Sequence, residues 1–191
     1  MFDDQLRRLI AGPMGAVARW LPASLRANWV TLAGGLVAFA GLILIGRGLY
    51  LWGLGAIVAN RLLDGLDGAV ARRTAPTELG AYLDAVFDTL FFASVPFAFA
   101  LADPSRAVAA SFLIFGSMGA GASAWIYMAF ACRAGMVTMP VASVAESLVM
   151  VAGFAIACVF PVWFSFVAYG LGFVAFVAAG VRIAAAVNTF E

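Results

Sequence analysis

Four of the chain's seven aspartates fall within residues 60–88, at Asp64, Asp67, Asp84 and Asp88. At about 100° per residue, Asp64, Asp67, Gly68 and Ala71 share one stripe of a helix, with Asn60 above them and Arg72 at its margin. Gly80, Asp84 and Asp88 recur at four-residue steps and form a second stripe. Two antiparallel helices joined by a short turn bring these stripes together, so four carboxylates surround one small volume. An aspartate at the centre of a membrane helix is penalised by about 2.5–3.5 kcal/mol. Four together reach about 10–14 kcal/mol, comparable to a whole folding free energy. Arg61, Arg72 and Arg73 offset only part of that. Hard divalent cations are the simplest remaining compensation: Mg²⁺ or Mn²⁺ takes carboxylate oxygens and keeps water or phosphate as its other ligands. One or two such ions are expected. Gly65, Gly68 and Gly80 beside the acids let a backbone or a bulky ligand approach the ions.

Composition narrows the chemistry further. The chain has no histidine, and its eleven basic residues are all arginine. Carboxylates, guanidinium groups and hydroxyls must therefore do the work. Cys132 and Cys158 stand singly in apolar surroundings and read as packing residues, not as a zinc site or disulfide. A net charge of +1 provides no cationic field for nucleic acid, so no nucleic-acid partner is expected. With 65% hydrophobic and 11% charged residues, a water-soluble domain is excluded as well.

The elements that position the acids follow from hydropathy. Apolar runs near 29–46, 48–70, 79–102, 107–132, 140–160 and 162–188 are long enough to cross a bilayer, which takes about 20 residues. Breakers separate them at Gly46 to Gly48, Ala75-Pro76, Asp103-Pro104, Met139-Pro140 and Pro161. The expected fold is all-α, a single integral membrane bundle of six transmembrane helices over residues 1–191. Residues 1–24 add a juxtamembrane segment. Phe2, Leu6, Ile10, Val17, Trp20 and Leu21 alternate there with Arg7, Arg8 and Arg19 as in an amphipathic helix lying in the headgroup layer. Gly12-Pro13 interrupts this stretch, which argues against a signal peptide. Arg7, Arg8, Arg19, Arg26, Arg72, Arg73, Arg133 and Arg182 fall on one side of the membrane, and only Arg47 and Arg106 on the other. By the positive-inside rule both termini and the acidic site are cytoplasmic.

These residues resemble the CDP-alcohol phosphotransferases, integral membrane enzymes of phospholipid synthesis. The family signature appears as Asp64-x-x-Asp67-Gly68-x-x-Ala71-Arg72, followed by Gly80-x-x-x-Asp84-x-x-x-Asp88. The flanks look most like a little-characterised bacterial branch, which implies a multi-pass protein of the bacterial inner membrane. Two departures stand out. The spacer from Arg72 to Gly80 holds seven residues where the usual pattern has eight, and the Asn28 to Thr31 entry to the first span lacks its preceding proline.

The resemblance implies transfer of a phosphatidyl group from CDP-diacylglycerol to a small polar alcohol, releasing CMP. It implies two ions, Mg²⁺ or Mn²⁺, with Asp64, Asp67 and Asp84 as ligands. Asp88 would share the second ion and act as general base. Arg72 would pair with the donor's phosphate, Gly68 and Ala71 would line the nucleotide site, and Gly80, Asn60 and Thr31 would complete the substrate-binding set. A homodimer is implied too. Glycerol 3-phosphate is the favoured acceptor, with inositol phosphate, serine and choline as alternatives.

Two further readings concern residues outside the signature. Glu146 within the fifth span either binds the acceptor or is a structural charge, snorkelling near Pro140 or paired with Arg61 or Arg133. Arg133 is an anchor unless the acceptor carries a phosphate. The competing class is a transporter or cation pathway using intramembrane aspartates. Against it stand the lack of an evident repeat between the chain's halves and the concentration of acids at one end.

Overall fold

The breakers at Gly46 to Gly48, Asp103-Pro104 and Pro161 do end helices. A computed structural model of the chain describes residues 15–20, 22, 27–74, 77–135 and 144–190. Six long helices are described, which we number α1 (Ala27–Gly46), α2 (Tyr50–Thr74), α3 (Glu78–Ala102), α4 (Ala107–Arg133), α5 (Val144–Val159) and α6 (Phe164–Phe190). No strand occurs among the described residues. The end of α1 shows the local logic. Gly48 adopts φ +76°, a left-handed conformation that suits glycine. It lets Gly48 N–H reach the Ile45 carbonyl at 2.8 Å and Leu49 N–H reach that of Leu44 at 2.9 Å, which closes the helix. At the other turn type, Thr77 caps α3 by accepting the Gly80 N–H at 3.0 Å. Asp103 separates α3 from a short 3₁₀ turn, Pro104–Arg106, that leads into α4.

Four segments are long and apolar enough to cross a membrane: α1, α3, α4 with its leading turn, and α6 with its own. By that measure α2 does not qualify, since it carries Arg61, Asp64, Asp67, Arg72 and Arg73. Nor does α5, whose described part is 16 residues long. The expected interfacial segment is described only over residues 15–20, which are helical. There Ala18 is buried against Ala69 and Val70 of α2, while Val17, Arg19 and Trp20 are exposed. Arg7, Arg8, Arg26 and the Ala75-Pro76 and Met139-Pro140 turns lie outside the described residues.

Packing explains why the acids are held at one end. α1 lies against α2 and α3, α4 against α3 and α6, and α5 against α2 and α6. The continuous core joins Ile45, Ile57, Phe91, Phe99, Leu113, Phe154 and Phe164, drawn from the halves of these helices away from the acids. Phe99 stacks between Phe164, with centroids 4.3 Å apart, and Tyr50, at 5.2 Å. Because lipid is as apolar as leucine, such contacts hold the bundle by close packing and not by exclusion of water. Glycine sets the tightest crossing: a Cβ on Gly116 would sit 2.8 Å from the Gly172 carbonyl oxygen, so α4 and α6 meet backbone to backbone. Gly119, which reads equally as a packing glycine, has nothing within 4 Å of an added Cβ and does not serve that contact.

Candidate active site

The last turns of α2 and the first turns of α3 bring three carboxylates together. One oxygen each from Asp64, Asp67 and Asp84 lies within 4.8 Å of the others. The spacer that is one residue short therefore still lets the stripes converge. Two full charges at that separation repel by roughly 3–4 kcal/mol at an effective dielectric constant near 20. The three groups face a small recess walled by Thr31, Gly34 and Gly35 of α1, by Asn60 and Arg61 of α2, and by Phe87 and Asp88 of α3. An all-oxygen, all-anionic donor set opening on a small hollow has the chemistry of a Mg²⁺ or Mn²⁺ site.

Hydrogen bonds orient the acids. Asp67 is 6% exposed, and the Thr31 hydroxyl donates to its Oδ2 at 2.7 Å. Thr31 thereby sets the direction of a ligand from the neighbouring helix. Asn60, also buried, donates to the Gly34 carbonyl at 2.9 Å and accepts from Arg61 Nε at 3.0 Å and Nη2 at 2.7 Å. Its side chain ties α1 to α2 and fixes Arg61. The Arg61 guanidinium then donates from Nη1 to Asp88 Oδ1 at 2.6 Å, stands 3.6 Å from Asp64 and lies 4.0 Å above the Phe91 ring. Asp88 thus shares the recess with the other three acids but is held by Arg61, outside the close trio.

The remaining signature residues lie beside the recess and not in its wall. Arg72 is exposed and folds back along its own helix, its Nη1 3.4 Å from where a Gly68 Cβ would be. Ala71 is half-buried on the same turn. Gly80 approaches the entry to α1, where an added Cβ would meet Asn28 Oδ1 at 2.9 Å. Close contact between helices therefore calls for glycine there.

A family model for CDP-alcohol phosphatidyltransferase matches residues 24–189, which is most of the chain. The chain belongs to that family. It is 38% identical over 148 residues to inner membrane protein YnjF of Escherichia coli (strain K12), spanning 71% of this chain and 70% of that one. A shorter match, 41% identical over 68 residues and 35% of each chain, is to archaetidylinositol phosphate synthase of Methanothermobacter thermautotrophicus. Membership makes the protein a CDP-alcohol phosphotransferase and a transferase of phospholipid synthesis.

For a phosphotransferase of this family, the second notable space is a cavity of about 130 Å³ between α3, α4, α5 and α6. Asp88 lines it as well as the acidic recess. So do Glu146 and Arg182, which form an ion pair across α5 and α6. Glu146 is paired neither with Arg61 nor with Arg133, the partners its position in the sequence made natural. Arg133 is exposed at the end of α4 and lines neither space. Sequence reasoning missed one cation here, taking Arg182 for a membrane-side anchor, whereas Arg61, read as a partial counter-charge, does pair with Asp64 and Asp88. Arg61 carried one signal, its place one turn before Asp64. For Arg182 only its apolar surroundings spoke, because a guanidinium 3% exposed among such neighbours requires a buried acid.

Proposed function

We propose that the protein transfers a phosphatidyl group from CDP-diacylglycerol to a small polar alcohol and releases CMP, with the acidic recess as the reaction centre. The carrying observation is the convergence of Asp64, Asp67 and Asp84 within 4.8 Å. Mg²⁺ or Mn²⁺, two ions on this reading with Asp88 sharing the second, would neutralise the diphosphate and the charge that develops on departing CMP. Thr31 keeps Asp67 directed into the recess, and Asn60 does the same for Arg61. Arg72 suits the donor's phosphate through its fork of N–H donors. Gly68, Ala71 and Gly80 leave room for the nucleotide along the same turns.

Asp88 is the general base on this reading, because its carboxylate lines both spaces. The acceptor oxygen bonds to the phosphorus that carries the lipid, its proton passes to Asp88, and the bond from that phosphorus to the oxygen of CMP breaks. Glycerol 3-phosphate is the acceptor that the family resemblance favours, within the wider class of small alcohols. We further read all six helices as crossing the cell membrane, with the acids and both termini facing the cytoplasm, and the protein as a homodimer. Four arginines of the described helices support that orientation by lying toward the acidic side in chain order: Arg72, Arg73, Arg133 and Arg182.

The test is CMP release from CDP-diacylglycerol by purified protein with Mg²⁺ or Mn²⁺ and a panel of alcohols. Release that needs both ion and alcohol is expected. Failure with every alcohol refutes the assignment, and cross-linking in membranes checks the dimer.

A further inference from the structure

Arg61 is fixed more firmly than a counter-charge needs. Its Nε and Nη2 both donate to the Asn60 carboxamide oxygen, at 3.0 and 2.7 Å, and Asn60 is itself anchored by donating to the Gly34 carbonyl of α1 at 2.9 Å. Two donors fill both lone pairs of that oxygen. Asn60, expected from the family resemblance to bind substrate, is therefore committed to α1 and to Arg61. From α3, the Phe91 ring centroid lies 4.0 Å from the guanidinium carbon and that of Phe92 5.5 Å. Only Nη1 is left to face the acids, and it reaches Asp88 Oδ1 at 2.6 Å while standing 3.6 Å from Asp64 Oδ2. The guanidinium thus lies between Asp88 and a member of the acidic trio.

We propose that Arg61 is a positioning residue that divides the four acids by role: braced by Asn60, it holds Asp88 apart from Asp64, Asp67 and Asp84 and keeps that carboxylate for the acceptor's proton. This rests on the reading of the recess as the reaction centre. With Oδ1 on the guanidinium, Asp88 can offer a shared ion at most its other oxygen. Once the guanidinium is removed, Asp88 is at liberty to turn toward Asp64 and join the ion site with both oxygens. A carboxylate so committed is directed at the ion and no longer at the acceptor. The arrangement also accounts for arginine in place of lysine. Only a planar fork can grip Asn60 through two nitrogens and present a third to Asp88.

Mn²⁺ binding is measured by electron paramagnetic resonance on purified protein without substrate, for wild type, Arg61→Met, Asp88→Asn and the double variant. Asp88→Asn is expected to weaken binding at least about threefold more in the Arg61→Met background than in wild type, a coupling typical of neighbouring groups. Equal factors in the two backgrounds mean that the residues act on the ion only as charges, and they overturn the proposal. Turnover gives the second readout. Arg61→Met should lower kcat for CMP release about 10–100-fold and leave KM for CDP-diacylglycerol within about threefold. Arg61→Lys keeps the charge but not the fork, so its kcat should stay within about threefold of that of Arg61→Met. Recovery of wild-type kcat by lysine overturns the positioning role, and this arm decides the matter even where Arg61→Met fails to fold. Asn60→Ala should lower kcat in wild type and add nothing in Arg61→Lys; a further loss there overturns its action through Arg61. Absence of CMP release with every alcohol, or of Mn²⁺ binding, in wild type defeats the reading of the recess and this inference with it.

Discussion

Replacing Arg61 by methionine removes the one cation that the described structure places in the wall of the acidic recess, while keeping an unbranched apolar stem over Phe91. Four contacts are lost: the 2.6 Å bond to Asp88, the 3.6 Å approach to Asp64 and the two bonds to Asn60 Oδ1. Breaking a fully buried pair costs about 3–5 kcal/mol, and an exposed pair contributes under about 1 kcal/mol. Side-chain exposures of 19% for Arg61 and 36% for Asp88 put this pair between those limits, near 2 kcal/mol. The ring contact adds about 0.5–1 kcal/mol. A loss of about 3 kcal/mol lowers the unfolding midpoint of a chain this size by roughly 6–12 °C. The sign of the metal effect is the sharper test. With Arg61 gone, four carboxylates face one another without a built-in counter-charge, so a bound dication should stabilise the variant more than wild type. Thermal unfolding in detergent, measured in chelator and again in excess Mn²⁺, reads both quantities. If Arg61→Met melts with wild type in chelator, or gains no more from Mn²⁺ than wild type does, the argument that Arg61 stands in for a cation is wrong.

Asp88→Asn should abolish CMP release and leave a folded membrane protein; near-normal turnover would remove Asp88 as base. Thr31→Val deletes the 2.7 Å bond to buried Asp67 and should weaken Mn²⁺ activation about 10–100-fold, read as the ion concentration giving half-maximal rate. Gly116→Ala places a methyl 2.8 Å from the Gly172 carbonyl and should cost about 1–3 kcal/mol of stability, seen in the melting temperature. The same change at Gly119, which meets nothing within 4 Å, serves as its control. Chelation should stop transfer, and adding back Mg²⁺ or Mn²⁺ should restore it.

The order of helices and the converging acids were legible for the same reason: both rest on periodicity along one chain. Four-residue steps put Asp84 and Asp88 on one face whatever surrounds them, and Gly48 and Pro104 stop a helix by local geometry alone. What lay beyond reach was which faces meet. Glu146 and Arg182 are 36 residues apart, and nothing on either helix specifies that α5 presents one to the other. The same limit concealed the use of Asn60, whose carboxamide braces α1 against α2 by bonding the Gly34 carbonyl and holds Arg61. Hydropathy alone falters at α2, because the acids that make the site also remove the helix from any count of purely apolar spans.

Charge balance distinguishes the two spaces that Asp88 joins. In the recess, Asp64, Asp67 and Asp84 outnumber the one guanidinium that the described residues place in the wall, an excess that bound cations would offset. Such a site suits a diphosphate, whose own charge is carried by the ions it shares with the protein. In the cavity, Glu146 and Arg182 form an ion pair. Arg61 sits at the boundary and prevents the acidic excess from extending past Asp88. The two sides of Asp88 therefore differ in character, an excess of carboxylates on one and an ion pair on the other.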